Sequence, residues 1–283
     1  MSHLKWSVLS LRRPGLSREL PPGKEKLAWV ANSSTLISGD RDAILVDTFL
    51  SVEHANMLVD WVVANGKNLT KIYITHGHGD HFFGLVPLLE RFPNAKAVAL
   101  PQVVEEMKEQ LSPKWIDDFW RKRMPGQIPD RLVVADPLQN NEIEIELEGN
   151  KMIIVDTGKT DTTCTTSLYV PSIELLVAGD VVYNETHVYL AETSTESRLQ
   201  WIAALDKLGD LRPKAVIAGH KVPENDDSPR NIELTKQYLR DFNRLDATTK
   251  TPLELYNAML AIYPNRANPG SLWGASHAAK ASQ

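Results

Sequence analysis

Short apolar stretches separated by Pro, Gly, Asn and Asp dominate the first forty-eight residues. Four of them have strand length and polar borders: "KWSVLSL", "KLAWVAN", "STLISG" and "AILVDT". This pattern predicts antiparallel strands. From Ser51 the spacing of the apolar residues becomes roughly helical and ends at Gly66; these residues are Ala55, Met57, Leu58, Trp61 and Val62. We therefore predict an amphipathic helix with a glycine cap.

The next segment alternates between strand and helix patterns. "KIYIT" predicts a strand, "FFGLVPLLERF" a short helix and "AKAVALP" a further strand. Such a β-α-β-α-β order is typical of largely parallel strands. From Pro101 to Met124 the chain is rich in large side chains at helical spacing. We expect this piece between the two halves to be helical, with most of its aromatic residues in the core.

The second half repeats this organisation. "EIEIELEGNKMIIVDT" predicts a hairpin about Gly149 and Asn150, and the patterns that follow are "TTSLYV", "ELLVAGD", "TESRLQWIAALDKL" and "KAVIAGH". They indicate two strands, a helix and a last strand. Helices are expected near 229–246 and 252–263, and the Ala-rich and Ser-rich end is expected to fray, with Trp273 as an anchor. We predict one domain over 1–283, with C-terminal helices from about 228 and two sheets packed between outer helices.

Composition narrows the function. The net charge is −5 and charges of both signs are mixed along the chain, so we expect neither nucleic acid nor an anionic membrane as a partner. The single cysteine, Cys164, excludes an intramolecular disulfide and a Cys-rich zinc site. Any metal ion must then be held by histidine and carboxylate. We see no apolar run long enough for a secretory signal or a membrane span, and we expect a cytoplasmic location.

Potential metal ligands follow four predicted strands. "LVDT" ends in Asp47, "VAGD" in Asp180 and "IAGH" in His220, while "THGHGDHFFG" places three histidines and an aspartate in six residues: His76, His78, Asp80 and His81. Strand ends that emerge at one edge of a sheet can converge on one crevice. Imidazole and carboxylate groups suit Zn²⁺, and this turn can serve two ions roughly 3.5 to 4 Å apart.

The motif "THGHGDH", followed by "VAGD" and "IAGH", resembles the H-x-H-x-D-H signature and downstream ligands of the metallo-β-lactamase superfamily over about residues 26–222. The resemblance implies a four-layer αβ/βα sandwich with a metal centre at one edge. It also implies roles for seven residues. His76 and His78 bind the first ion, Asp80, His81 and His220 bind the second, Asp180 bridges the two, and Asp47 supports the turn from behind the ligands.

One position departs from this pattern. Where the family has a histidine as third ligand of the first ion, the chain reads "DTGKTDTTC", with Lys159 at that position. Lys159 could be neutral, its ammonium could replace an ion, it could be carbamylated, or Asp161 could supply an oxygen ligand. We favour a firmly held ion at Asp80, His81 and His220, and a weakened or absent ion at His76 and His78.

These residues predict a metal-dependent hydrolase that acts on an ester, thioester, lactone or lactam of a small molecule, with one or two Zn²⁺ ions, or Mn²⁺ or Fe²⁺. Asp80 and Lys159 are the candidate catalytic residues, for proton transfer and for holding an oxyanion or a substrate carboxylate. Tyr183, Asn184 and His187 are candidate substrate contacts. The alternatives are a degenerate ligand-binding protein of the same fold and a glyoxalase-like thioesterase.

Overall fold

The computed structural model describes residues 3–12, 30–139 and 142–281. The strands are β1 (Lys5–Leu11), β2 (Asn32–Ser38), β3 (Asp42–Val46), β4 (Asn68–Tyr73), β5 (Lys96–Ala99), β6 (Asp136–Pro137), β7 (Glu144–Leu147), β8 (Asn150–Gly158), β9 (Thr165–Val170), β10 (Leu175–Asn184) and β11 (Ala215–Lys221). The helices are α1 (Val52–Ala64), α2 (Gly79–Phe82), α3 (Leu85–Arg91), α4 (Pro101–Gln110), α5 (Pro113–Trp115), α6 (Thr195–Asp210), α7 (Arg230–Thr248), α8 (Pro252–Ile262) and α9 (Pro269–Ala281). A π-helix covers Ile116–Arg121, and a 3₁₀-helix covers Pro171–Ile173.

The strands form one curled sheet with the order β6-β5-β4-β3-β2-β11-β10-β9-β8-β7, and β1 pairs with β2. The pairs formed among strands β3 to β6 are parallel, as the alternating pattern predicts. The two halves meet where β11 pairs with β2, in a register that joins His220 to Asn32. His220, a predicted metal ligand, therefore lies where the two halves of the sheet meet.

Two apolar clusters fill the layers. The larger contains Leu45, Ile72 and Ile154, and so joins residues from both halves of the sheet together with apolar residues of α1, α3 and α4. The smaller packs α6 to α9 against the other face of the second half, around Trp201 and Phe242. Strand β10 is buried at all ten positions, because sheet neighbours and layers on both faces cover it. This is the predicted αβ/βα sandwich.

The structure differs from the predicted elements in three places. The helix expected over residues 82–92 is shorter, since α3 covers only Leu85–Arg91 and Phe82 is the last residue of α2. The segment from Pro101 to Met124 includes the π-helix. The C-terminal segment forms α9, in which the Trp273 ring lies against Tyr256 at 5.2 Å between centroids. Most of the expected strand "KLAWVAN" lies outside the described residues. In the described part of the chain, we find no helix of the length and apolar character needed to cross a bilayer.

Candidate metal centre

The histidine-rich turn begins directly after β4 and runs into α2. Its fixed point is Asp47, which follows β3 and accepts hydrogen bonds from the Thr75 amide and the Thr75 hydroxyl, each at 2.8 Å. Asp47 has a φ of +60°, a conformation that aspartate tolerates better than most residues. The neighbouring parallel strands β3 and β4 thus deliver a carboxylate and the imidazoles to the same edge.

Two groups of buried side chains could each hold an ion. The first ligand group consists of His76, His78, Asp161 and Asp180. The second ligand group consists of Asp80, His81 and His220. Within each group one nitrogen or oxygen atom per residue lies within 4.8 Å of all the others. The structure therefore brings together all six predicted metal ligands, and it adds Asp161.

Asp180 lies between the two groups. Its Oδ1 is 3.3 Å from His81 Nε2, and its Oδ2 is 3.0 Å from His220 Nε2 and 3.8 Å from His76 Nε2. This position depends on the adjacent strand, because a Cβ at Gly219 would lie 2.1 Å from Asp180 Oδ1. The carboxylate therefore lies between the two ligand groups, and the bridging role that the resemblance implies stays a prediction.

The second ligand group is oriented by strand residues and backbone. Asp47 Oδ2 lies 3.0 Å from His81 Nδ1, and the carbonyl of Ala31 lies 3.2 Å from His220 Nδ1. Asn32 donates a hydrogen bond of 2.8 Å to Asp80 Oδ2. Partners on the far ring nitrogens fix the tautomer and the orientation of ligating imidazoles. Both Nε2 atoms consequently face the centre, and Asp47 lies where the sequence predicts.

The first ligand group is held by carboxylates from a helix and a loop. Glu192 Oε1 lies 3.2 Å from His78 Nε2, so that His78 Nδ1 faces Asp161 Oδ2 at 3.1 Å. Glu106 of α4 accepts hydrogen bonds from the Gly77 amide at 3.1 Å and from the Thr162 hydroxyl at 2.7 Å. A side chain at position 77 would collide with Glu106, because a Cβ there would lie 2.7 Å from its Cβ.

Burial and mutual charge shift the pKa values of these groups. Burial lowers the pKa of His76, and the neighbouring His81 adds to the effect. Burial opposes protonation of His78 as well, but Asp161 and Glu192 raise its pKa well above its usual value. Burial raises the pKa of Asp161 to about 6, although His78 opposes the shift. A divalent ion would bind in competition with the protons that these groups share.

The donor set fits a divalent cation. His76 Nε2 is buried without a hydrogen-bond partner in the described chain, and its nearest carboxylate oxygens are 3.7 and 3.8 Å away. A buried polar atom of this kind normally has a partner. Histidine and carboxylate donors with such spacing suit zinc, manganese or iron.

Lys159, the candidate catalytic lysine, is exposed and does not line the cavity over the ligand groups. The chain turns at Gly158, which has a φ of +67°, and Lys159 is exposed whereas Thr160 and Asp161 are fully buried. A hydrogen bond of 3.0 Å from the Thr160 amide to the Thr162 carbonyl closes the turn. Asp161 therefore lies in the first ligand group, which favours the alternative in which it supplies an oxygen ligand at this position.

The three candidate substrate contacts have different positions. Tyr183 lines the central cavity, and its hydroxyl donates to Asp180 Oδ2 at 3.2 Å. Asn184 instead donates to the Asp226 carbonyl at 2.8 Å. His187 is buried beneath the C-terminal helices with its Nδ1 3.0 Å from the Tyr238 hydroxyl. Asn184 and His187 are not among the described residues that line the cavity.

A small cavity, partly open to solvent, lies over the two ligand groups. His78, Asp80, Asp180 and His220 form its base. The remaining described lining residues are Val30, Trp115, Phe119, Trp120, Tyr183, Tyr189, Glu192, Asn268 and Ser271. The potential ligands are therefore accessible to a small molecule, and most of the walls are apolar or aromatic.

The model of the metallo-beta-lactamase superfamily matches residues 27–220, a range that contains every residue of both ligand groups. The chain belongs to this superfamily. Its fold resembles a metallo-beta-lactamase family protein from Thermus thermophilus, with a TM-score of 0.62, 20% identity and coverage of 96% of this chain and 91% of that chain. It also resembles a metallo-beta-lactamase from Pontibacter korlensis, with a TM-score of 0.60, 16% identity and coverage of 84% and 100%.

A curated relative is an atrochrysone carboxyl ACP thioesterase from Pseudocercospora fijiensis (strain CIRAD86), which is 29% identical over 84 residues. The match covers 29% of this chain and 25% of the relative. The superfamily is generally hydrolytic, and this match adds a thioesterase to the proteins that the chain resembles over a short region.

Three functional contacts were absent from the sequence prediction or left open by it. The sequence did indicate Asp161, because a carboxylate two residues from the expected ligand position can substitute for the missing histidine. Glu106 and Glu192 contact the histidine turn across 29 and 114 residues of sequence, respectively. Neither glutamate belongs to a motif, and only the folded chain reveals them.

Proposed function

We propose that the protein is a metal-dependent hydrolase that cleaves an ester, thioester, lactone or lactam bond in a small molecule. The observation that carries this proposal is the position of Asp180 between two groups of buried imidazoles and carboxylates at the base of an accessible cavity. Two ions, most readily Zn²⁺, would bind there, with Mn²⁺ or Fe²⁺ as alternatives.

Divalent ions in such a site would lower the pKa of bound water and polarise the carbonyl of the substrate. The residues of the chain then position the reactants and move the proton. Asn32 holds Asp80 Oδ2, which leaves Asp80 Oδ1, 4.0 Å from His81 Nε2, to accept the proton of the attacking water. As the carbonyl carbon forms its bond to the water oxygen, the bond to the leaving group breaks and Asp80 returns the proton to that group. Lys159 has no part in this scheme.

A thioester is the form of the substrate with additional support. The short match to an ACP thioesterase favours an acyl thioester over a lactam. The walls of the cavity are also largely apolar, which suits an acyl group. Hydrolysis of a thioester would release a free thiol and a carboxylate.

The test combines metal analysis with a substrate panel. We expect purified protein to contain bound divalent metal by elemental analysis, and to hydrolyse at least one of a thioester, an ester, a lactone and a lactam. A chelator should abolish turnover, and Zn²⁺, Mn²⁺ or Fe²⁺ should restore it. Retention of a ligand without turnover of the metal-loaded protein would instead support a binding protein of this fold.

A further inference from the structure

One side of the cavity is formed by Trp115, Phe119 and Trp120, which we call the aromatic wall. All three line the same cavity as His78, Asp80, Asp180 and His220. Trp115 and Phe119 are half-buried, whereas Trp120 is buried. The wall therefore faces the place where a reacting group would lie, and its two outer rings are available to a ligand.

The local helix type explains why three large rings share this face. Trp115 immediately precedes the π-helix Ile116–Arg121, which contains Phe119 and Trp120. Hydrogen bonds in a π-helix run between residues five apart, so residues four and five positions along the chain both return close to the starting face. In an α-helix, Trp120 would turn away from Trp115. Single-turn π-helices are frequent at functional sites.

The rings of the wall are fixed before any ligand binds. Trp115 and Trp120 each lie edge-on to Phe119, at 5.1 and 4.8 Å between centroids. The guanidinium of Arg123 lies 3.7 Å from the centre of the Phe119 ring. Trp120 Nε1 donates a hydrogen bond of 2.8 Å to Gln110 Oε1. A fixed aromatic surface loses little conformational entropy when a flat ring stacks on it.

Polar groups at the cavity border complement the wall. Asn268 and Ser271, at the start of α9, line the cavity, and Asn268 Nδ2 donates to Ser271 Oγ. The Tyr189 hydroxyl, also beside the cavity, donates to Glu192 Oε1 at 3.1 Å. The site thus offers a stacking surface on one side, and hydrogen-bonding groups around it that could receive polar ring substituents.

We propose that the substrate carries a planar aromatic acyl group, which stacks on the aromatic wall while its carbonyl lies over the two ligand groups. This inference rests on the proposed hydrolase function and specifies its substrate class. A saturated ring on the same wall could not make the offset or edge-to-face contacts that aromatic pairs prefer. Planarity and aromaticity of the acyl group are therefore the properties that the wall selects.

The kinetic test compares two acyl groups with the same carbon skeleton, one aromatic and planar and the other saturated. Thioesters of N-acetylcysteamine with 2-naphthoic acid and with decahydro-2-naphthoic acid share a small aliphatic leaving group, and thiol release reports their hydrolysis. We expect Phe119→Leu to lower kcat/KM for the naphthoyl thioester by about 5- to 10-fold, and that for the saturated analogue by less than about twofold. Equal effects on both thioesters, or no effect on either, would overturn the proposal.

Two further variants act as controls. Phe119→Tyr keeps the ring and should retain the preference for the naphthoyl group. Trp6→Leu removes an aromatic side chain that is 41% exposed on β1 and does not line the cavity, so it should leave both rates unchanged. Loss of the preference in Trp6→Leu would show that the effect does not arise at the wall.

A binding measurement separates this proposal from the hydrolase proposal. By calorimetry, 2-naphthoate should bind the metal-loaded protein about 5- to 10-fold more tightly than decahydro-2-naphthoate, and Phe119→Leu should remove the difference. If this holds but no thioester or ester is cleaved, the wall is supported and the hydrolase function fails. If turnover occurs but the two carboxylates bind equally, the aromatic wall does not select the substrate.

Discussion

The two ligand groups lie side by side but are built in different ways. The second, with Asp80, His81 and His220, is oriented by Asp47 and by the Ala31 carbonyl, which lie beside strands at the centre of the sheet. The first depends on Asp161 in a loop after β8, and on Glu106 and Glu192 from a helix and another loop.

This difference has a consequence for metal affinity. The supports of the second group, Asp47 and the Ala31 carbonyl, adjoin β3 and β2, and the ladder of a sheet is among the most stable parts of a fold. A loop ligand depends on a few side-chain hydrogen bonds. We therefore expect the second group to hold its ion more tightly than the first, which agrees with the ranking proposed from the sequence, although the reason is the support of the loop and not the charge of Lys159.

The largest effect is expected at the residue that the two groups share. Asp180→Asn keeps the shape of the side chain but removes the charge that faces both ions, so bound metal should fall at both positions and kcat/KM by more than about 100-fold. Elemental analysis and the thiol-release assay would measure this. Asp210→Asn, an exposed change on α6, is the control. Full metal content in Asp180→Asn would contradict a bridging role.

Changes in one group should remove one ion. Asp161→Asn should empty the first group and leave the second occupied, whereas His220→Gln should do the reverse. Metal titration followed by elemental analysis would count the ions, and the double variant should lose both. If either single change removed both ions, the two groups would form one cooperative site, and the contrast between them would be wrong.

The support of the first group can be weakened without touching a ligand. Glu106 uses one oxygen for the Gly77 amide and the other for Thr162 and Thr163, and Glu106→Gln can accept only on one side. We expect metal affinity of the first group to fall by about 10- to 100-fold, with the second group unchanged. The matched control is Glu105→Gln on the same helix, where the exposed carboxylate pairs only with Lys108 among the described ion pairs. Equal metal affinity in both variants would show that Glu106 does not position the first group.

The smallest effect is expected at Lys159. Because the side chain is exposed and does not line the cavity, Lys159→Ala should leave metal content and kcat/KM within about twofold of the unchanged protein, as for an ordinary surface substitution. A clear loss of activity would return Lys159 to the site, and it would show that the loop changes its path when substrate binds.

Much of the fold follows from local patterns in the sequence. Apolar runs such as "LLVAGD" identify strands, and a glycine such as Gly66 identifies the end of a helix. Potential ligands that directly follow several strands indicate a site at one edge of the sheet. Helix α9 was missed because its sequence has few large apolar residues. It is stabilised by contacts such as that between Trp273 and Tyr256, which no short pattern contains.

The path of a loop is harder to predict than the direction of a strand. Motif spacing placed Lys159 at the first ion, but inward and outward positions do not alternate in a tight turn, and the positive φ of Gly158 sends Lys159 to the solvent and Asp161 to the interior. The sequence does not indicate the contacts of Glu106 and Glu192, because these contacts depend on how α4 and the loop after β10 pack against the histidine-rich turn.

Among the described residues, the register between β2 and β11 joins His220 to Asn32, so the two halves of the sheet meet at the place where the ligand side chains from both halves converge. An ion bound by Asp80 of one half and by Asp180 and His220 of the other would act as a cross-link between the halves. Its binding free energy would then add to the resistance of the whole molecule to heat, in proportion to the logarithm of the free metal concentration. Binding of metal would then raise the melting temperature of the protein.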